Sequence, residues 1–293
     1  MDFGPYLLLA SLEGLVTAAV LALTALGLSL VFGVMRVVNV AHGEFFMLGA
    51  VLAWGFTSLV SGHAALGFAL AMIGSPLIVG AIALLSERLV LRRLNYDPEA
   101  TIVATIGLLY IIQQLALSLY GPEARPVTAP LNFRIQFPWF GYAGYKLLVV
   151  GVSILLMLIT WFVIARTRIG LIMRATQYDR ETAQTFAIPV DRVYAGVFAA
   201  GAMLAALAAV LIVPIQQAHY LMGLDPLLLS FIVVIIGGLG SLKGTVLAAL
   251  LIGMSDGIIS VFFSPTLAKI LATLLVALVL VYRPQGLFGE AVR

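Results

Sequence analysis

The stretch GLSLVFGVMRVVNVAHGEFFMLGAVLAWG, residues 27–55, decides the fold class of this chain. Between two segments that are apolar enough to lie in lipid, it places four polar residues: Arg36, Asn39, His42 and Glu44. Polar side chains are costly inside a bilayer, and where they occur they usually mark a pathway or a site. We therefore expect a membrane protein with a functional element at this point of the chain.

The composition supports this prediction over the whole length. Of 293 residues, 62% are hydrophobic and 10% charged, and the mean hydropathy is +1.14; a soluble domain carries about 25% charged residues. Apolar runs of about 20 residues, enough to cross the hydrocarbon core, recur along the chain. We expect an all-α polytopic membrane protein, residues 1–293 forming a single transmembrane domain. The predicted spans are 10–34, 42–60, 65–87, 100–120, 146–165, 194–215, 226–239, 245–263 and 268–282.

The seventh predicted span is short and ends on Gly237-Gly238-Leu239-Gly240. It is therefore interpreted as a half-helix or re-entrant segment, and eight spans are the alternative to nine. A weak internal repeat points the same way, because a polar or Gly-rich turn interrupts the apolar sequence both at 33–43 and at 237–244. Paired broken helices of this kind are typical of a binding site near the midplane of a membrane.

Orientation follows from Lys and Arg, because cytoplasmic loops retain positive charge. With the N-terminus outside, twelve basic residues fall on the inner side: Arg36, Arg88, Arg92, Arg93, Arg166, Arg168, Arg174, Arg180, Arg192, Lys243, Arg283 and Arg293. Four fall on the other side: Arg125, Arg134, Lys146 and Lys269. We therefore expect the N-terminus outside and the C-terminus in the cytoplasm, which requires an odd number of spans. No basic segment precedes the first span, so a cleaved signal peptide is not expected.

Several classes of site are excluded by residue usage. The chain has no cysteine, and its three histidines are too scattered for a metal site, so neither a metal nor a catalytic residue is expected. Its net charge of +3 is explained by helix-flanking arginines at the inner leaflet rather than by nucleic-acid binding. Residues 237–245 resemble a phosphate loop only superficially, because Lys243 precedes Gly244 instead of following it.

The polar residues of the opening stretch do not form a ready-made pair. Asn39 and His42 are three positions apart and share a helix face, whereas Glu44 lies nearly opposite. If Gly43 breaks the helix, these groups line a water-filled path. The alternative is that Asn39 and His42 cap the helix and bond nearby backbone. Asp256, inside the eighth span, is likewise either a path residue or paired with a neighbouring helix.

Two extramembrane segments are long. Residues 121–145 are rich in Pro and aromatic residues and predict an ordered interfacial loop, with a receptor contact as the alternative. Residues 166–193 predict a short amphipathic helix that ends at Pro189. Its apolar ridge repeats at Ile172, Ala175, Thr176, Asp179, Thr182, Ala183 and Phe186. Such a helix either docks on a soluble partner or lies on the inner-leaflet lipid.

Three motifs carry a resemblance that covers essentially the whole chain. They are FGVMRVVNVAHGEFFMLGA at 32–50, RATQYDRETA with IPVDRV at 174–193, and IIGGLGSLKGT at 235–245. The chain resembles the inner-membrane permeases of branched-chain (hydrophobic) amino acid ABC importers, specifically their shorter, LivH-type subunit. Urea and short-chain amide importers share these motifs and are the alternative substrate class.

The resemblance implies a transport subunit that is not itself an enzyme, in a bacterial inner membrane. Its partners would be a second homologous permease, two cytoplasmic ABC ATPases that hold the ATP and Mg, and a periplasmic substrate-binding protein. It favours partner docking for the 166–193 loop, with Arg174, Asp179, Arg180, Glu181, Ala183 and Ile188 as coupling residues. Asn39, His42, Gly43, Glu44 and Asp256 are then candidates for the substrate path.

The chain departs from the family pattern at Ala187, where Gly is usual, and at Asp256, where Glu is usual. Two other classes of function remain as alternatives. An ion-coupled secondary carrier would use Glu44 or Asp256 as its titrating group. An intramembrane enzyme would need a nucleophile and a base at suitable spacing, and the sequence shows no such set.

Overall fold

The computed structural model describes residues 3–60, 62–283 and 286–287, and most of these residues are helical. The helices are α1 (Phe3–Met35), α2 (His42–Leu59), α3 (Ala64–Ser86), α4 (Pro98–Tyr120), α5 (Gly144–Arg166), α6 (Arg168–Tyr178), α7 (Arg180–Thr185), α8 (Val190–Gln216), α9 (Leu224–Gly237), α10 (Leu242–Phe262) and α11 (Pro265–Tyr282). A π-helical turn at Glu87–Leu91 and a 3₁₀ turn at Arg92–Leu94 extend α3. The prediction of an all-α polytopic membrane protein is confirmed.

Each of the nine predicted spans coincides with a helix, but two of these helices differ from the rest. Seven of the described helices are long and apolar enough to cross a membrane: α1, α3 with its extension, α4, α5, α8, α10 and α11. The helix α2 has 18 residues and begins with the polar His42 and Glu44, and α9 has only 14 residues. These two helices correspond to the second and the short seventh predicted spans.

The loop at 121–145 contains the sheet of the described chain. Strands β1 (Arg134–Gln136) and β2 (Gly141–Ala143) pair antiparallel, with Ile135 opposite Tyr142. Nearby, the guanidinium of Arg125 stacks over the rings of Trp54 and Tyr120 at 4.3 and 4.5 Å. The loop is therefore ordered, as predicted.

The centre of the bundle is α1, which packs against α8 and α10. The residues of α1 are mostly apolar on every face of the helix, and its middle, from Ala18 to Val31, is buried. A helix without a polar face is expected to lie inside a bundle. Glycines permit the close approaches. A Cβ atom built on Gly14 would lie 3.0 Å from the Gly253 carbonyl oxygen, and one on Gly27 would collide with the backbone of Gly201. The small residues thus bring helix backbones together.

The chain turns back into the bundle between α1 and α2. Residues 36–41 are not helical, and Val37, Asn39 and Ala41 are buried. The ring of His42, the first residue of α2, bonds the carbonyl of Thr24 at 3.0 Å. Thr24 precedes the end of α1 by 11 residues, about 17 Å at the rise of an α-helix. The helix α2 therefore begins in the interior of the bundle.

The helix α9 begins at the same place. The backbones of Gly43 and Gly223 touch, so that a methyl group on either would collide with the other. From this contact α9 runs towards the end of α1, where Gly240 approaches Gly33, while α2 runs back towards the start of α1. Two half-helices thus leave a common interior point in opposite directions. The broken helices expected from the sequence are present, but the partner of α2 is α9, and the 237–244 turn lies at the end of the bundle.

Candidate functional site

The predicted polar residues of the α1–α2 segment are buried and separately bonded. Asn39 Oδ1 accepts a hydrogen bond from the amide of Ala41 at 3.1 Å, a bond to nearby backbone of the kind predicted as the alternative to a path. His42 Nε2 donates a hydrogen bond to the carbonyl oxygen of Thr24 at 3.0 Å, because a carbonyl oxygen can only accept. Nδ1 has no partner among the described residues.

Glu44 faces away from His42, as its spacing predicts. Gln113 Nε2, on α4, donates to Glu44 Oε1 at 3.4 Å. The other carboxyl oxygen is buried and has no partner within the described chain. Glu44 and His42 therefore contact different helices and form no acid–base pair.

A cavity of about 340 Å³ lies beside this segment, between α1, α8, α9, α10 and α11. Thr24 and Phe46 line it, so that it reaches the level at which His42 bonds α1. Its walls are Thr17, Val20, Leu21, Thr24, Phe46, Ile212, Gln216, His219, Leu221, Met222, Asp225, Pro226, Leu229, Asp256, Ser260, Pro265 and Lys269. Of the predicted path residues, Asp256 lines the cavity, whereas Asn39, His42, Gly43 and Glu44 are not among its lining residues.

The charged groups of the cavity are only partly predicted by the sequence. Lys269 Nζ forms an ion pair with Asp225 Oδ2 at 2.7 Å. Asp256 is half-buried and has no salt bridge among the described residues, so its predicted pairing with a neighbouring helix is not observed. Sequence reasoning missed Asp225, Lys269, His219 and Gln216, since their convergence depends on how α8, α9 and α11 pack.

The 166–193 segment forms two helices, which corrects the prediction of one. The break is at Asp179, whose Oδ1 accepts from the amides of Glu181 and Thr182 at 2.9 and 3.1 Å and so caps α7. The hydroxyl of Thr182 donates to Oδ2 at 2.6 Å. This hydroxyl, and then the amides, hold the pKa of Asp179 below its usual value. Asp and Asn compete with helix interiors for local amides, which explains the interruption.

The end of α7 also differs from the prediction. The helix ends at Thr185, before Pro189, because Ala187 adopts a left-handed conformation with φ of 58°. This conformation favours glycine, and Ala187 is the position at which the resemblance leads one to expect Gly. The departure therefore falls where the backbone turns out of α7.

The predicted coupling residues occupy different environments in this loop. Arg174 donates to the carbonyl of Ile164 and holds α6 against the end of α5. Ala183 is buried and Ile188 half-buried, whereas Glu181 is exposed. The side chains of Tyr178 and Phe186 are 90% and 77% exposed, although Phe186 belongs to the predicted apolar ridge. Thr176 and Ala183 of the predicted ridge are buried together with Met173 and face the bundle.

Arg180 ties α7 to the rest of the bundle. Its guanidinium lies 5.5 and 5.6 Å from the ring centres of Tyr96 and Tyr194, which themselves pack edge to face at 4.7 Å. The hydroxyl of Tyr96 donates to the buried Glu87 Oε1 at 2.6 Å. Burial, assisted by Glu87, raises the pKa of Tyr96, so the phenol keeps its proton. The loop is therefore connected to the end of α3 and the start of α8.

A model of the family described as "Branched-chain amino acid transport system / permease component" matches residues 10–280. The chain belongs to this family. This permease is thus a transport component and a multi-pass membrane protein. The predicted resemblance to the LivH-type subunit is confirmed.

Relatives cover nearly the whole of the permease. BraD of Pseudomonas aeruginosa, a permease protein of a high-affinity branched-chain amino acid transport system, is 29% identical over 95% of this chain and 94% of its own length. LivH of Escherichia coli, of the same description, is 24% identical over 97% and 96%. A probable LivH of Methanocaldococcus jannaschii is 26% identical over 95% and 91%. No solved structure matches the permease.

Proposed function

We propose that this permease forms half of a translocation path for branched-chain and other hydrophobic amino acids. Family membership over residues 10–280 carries the proposal. The other half would come from a second, homologous permease subunit, and a periplasmic binding protein would deliver the substrate. The exposed apolar faces of the outer helices, such as that of α5, would contact lipid and this second subunit.

The energy would come from two ABC ATPases that bind ATP and Mg and dock on the α6–α7 loop. Aromatic side chains exposed on a surface that faces water are typical of a docking site for a protein partner. The exposed Tyr178 and Phe186 flank the two ends of α7. Glu181 is exposed between them. This arrangement supports partner docking over a helix lying on the membrane.

The helix α8 links the docking loop with the cavity. Tyr194, near its start, packs beneath Arg180, and Gln216, its last residue, lines the cavity. A helix of 27 residues is about 40 Å long. Movement of the loop would therefore be carried by α8 to the cavity wall, and closure and opening would be a shift between two populated arrangements.

In this scheme Asn39, His42, Gly43 and Glu44 form the closed floor of the path. Gly43 and Gly223 are in backbone contact next to His42, whose ring bonds Thr24 of the cavity lining, and α2 and α9 would part there to release substrate. Asp256, which lines the cavity, would lie on the path above this floor. If the permease lies in a bacterial inner membrane with the predicted orientation, the cavity would open to the outer side of the membrane. The α6–α7 loop would then face the cytoplasm.

The coupling role is tested by Glu181→Arg. Because Glu181 is exposed on the docking surface, charge reversal should abolish ATP-driven leucine uptake by the assembled complex in proteoliposomes, while the subunit still inserts and folds. The control is Glu99→Arg, a charge reversal at an exposed residue in the first turn of α4, which should leave uptake unchanged. Normal uptake by the Glu181 variant would refute the coupling role.

A further inference from the structure

The cavity is lined by two chemically different sets of side chains. One is apolar and includes Val20, Leu21, Ile212 and Leu229. The other carries carboxylate, ammonium, imidazole, amide and hydroxyl groups: Asp225, Asp256, Lys269, His219, Gln216 and Ser260. Such a combination of apolar surface with a few convergent polar groups is typical of a small-molecule site, and 340 Å³ lies in the usual range of about 300–1,000 Å³.

Two larger cavities within the described chain lack such a polar set of residues. One of about 520 Å³, bordered by Ile154, Trp161 and Leu247, and one of about 440 Å³, bordered by Leu52, Ile112 and Leu119, are lined mainly by apolar side chains. They lie between helices whose outer faces are apolar. Size therefore does not distinguish the 340 Å³ cavity, whereas its charge does.

The lining of the 340 Å³ cavity includes two carboxyl side chains, Asp225 and Asp256, but one ammonium, that of Lys269. Lys269 pairs with Asp225 at 2.7 Å, which leaves Asp256 as a carboxylate without an ion-pair partner among the described residues. A carboxylate on a membrane helix is expensive unless a cation or water compensates it. A ligand bearing an ammonium group would supply that cation.

Lys269 retains binding capacity for a group of opposite sign. An ammonium has three donors, and Asp225 accepts from one of them in a pair whose side chains are 53% and 66% exposed. Lys269 and Asp256 also line the same cavity. A ligand that carried both an ammonium and a carboxylate would thus meet a complementary partner for each.

We propose that this cavity is a binding site for a zwitterionic α-amino acid with an apolar side chain. Its ammonium binds Asp256, its carboxylate binds Lys269, and its side chain packs on Val20, Leu21 and Leu229. The assignment rests on the proposed transport function and adds to it a selecting site within the permease itself. Selection depends on both charged ends, because a ligand that lacks one leaves a polar group of the site unpaired.

The absence of cysteine from the chain makes a direct test practical. In the assembled complex, Ser260→Cys places a thiol on the cavity wall, and Ser58→Cys places one on the exposed end of α2 as a control. Modification of this subunit by N-ethylmaleimide is followed by mass spectrometry. Saturating leucine should slow modification at position 260 by about tenfold, since an occupied pocket excludes the reagent, and leave position 58 unchanged.

Two analogues separate the charged ends. At the same concentration, 4-methylpentanoate, which lacks the ammonium, and 3-methylbutylamine, which lacks the carboxylate, should not protect position 260. On the Ser260→Cys background, Asp256→Asn should abolish protection by leucine and Asp256→Glu should retain it. Equal protection by 4-methylpentanoate would overturn the assignment and indicate a lipid or fatty-acid site.

The outcome for the site is distinguishable from that for transport. ATP-driven leucine uptake is measured in the same preparation. Uptake without any protection by leucine at position 260 overturns the site and leaves the proposed function intact. Absence of uptake overturns the proposed function, and this assignment falls with it.

Discussion

At the scale of single residues, Ala187 is one of the non-glycine residues of the described chain that have a positive φ. Its φ of 58° places an alanine in the left-handed region, where a Cβ atom costs roughly 1–2 kcal/mol. The amide of Ala187 bonds the carbonyl of Gln184 at 3.0 Å, and that of Ile188 bonds Ala183 at 3.1 Å. These two bonds terminate α7 and hold Ala187 in its strained left-handed conformation. The resulting turn presents the proposed docking surface.

We therefore expect Ala187→Gly to stabilise the end of α7. Relief of the left-handed strain exceeds the added entropy of glycine in the unfolded loop by about 0.5–1 kcal/mol. Hydrogen exchange of the α7 amides should slow by up to about fivefold. Ala175→Gly, in the helical interior of α6, is the control and should speed local exchange by a comparable factor. Faster exchange in the Ala187 variant would contradict this account.

At the scale of elements, the two half-helices α2 and α9 define the interior of the permease. Their starts meet at Gly43 and Gly223, and α2 is further fixed by His42 on α1 and Glu44 on α4. A predicted polar stretch thus serves as an anchoring point with contacts on three sides. This geometry explains why polar groups are tolerated there, since backbone and side chains satisfy most of them inside the bundle.

Gly43→Ala should destabilise the permease, because its methyl group would collide with the Gly223 backbone and overpacking costs about 1–3 kcal/mol. Gly55→Ala on the same helix has no neighbour within 4 Å. It should be neutral or stabilising by up to about 1 kcal/mol, as helix propensity predicts. Thermal unfolding in detergent, followed by fluorescence-detected size exclusion, measures both variants. Equal shifts in Tm would exclude a tight contact at Gly43.

At the scale of the whole molecule, charge separates the two ends of the bundle. Arg36 reaches the α6–α7 loop through the carbonyl of Gln177 at 3.5 Å, and Arg92 pairs with Asp191 at 2.7 Å at the start of α8. At the opposite end, Arg125 stacks on Trp54 and Tyr120. The folded bundle thus gathers basic residues around the proposed docking surface, as expected for a cytoplasmic face.

The orientation can be measured with single cysteines, because the chain has none of its own. Glu123→Cys and Tyr178→Cys both place a thiol at an exposed position, at opposite ends of the bundle. A membrane-impermeant maleimide should label position 123 but not position 178 in intact cells. Inverted vesicles should give the reverse, and labelling of position 178 in intact cells would contradict the predicted topology.

The sequence by itself determined the membrane class, the positions of the apolar helices and the family motifs. These features depend on local composition: 62% hydrophobic residues in recurrent runs can fold only with their backbone groups bonded inside helices. Local chemistry also determined that His42 and Glu44 face different neighbours, because helical spacing fixes side-chain directions.

Only the tertiary structure decided where these elements meet. Asp256 belongs to a cavity because α9 and α11 bring Asp225 and Lys269 to it. These three residues lie on three different helices, so no helical period of the sequence relates them. The break at Asp179 and the strained turn at Ala187 likewise depend on specific hydrogen bonds. Packing between helices that are distant in sequence, rather than the helix propensity of single residues, determined which side chains line the cavity and which remain exposed at the ends of α7. The reason is that side chains from different helices converge only at the angle and height at which the helices cross.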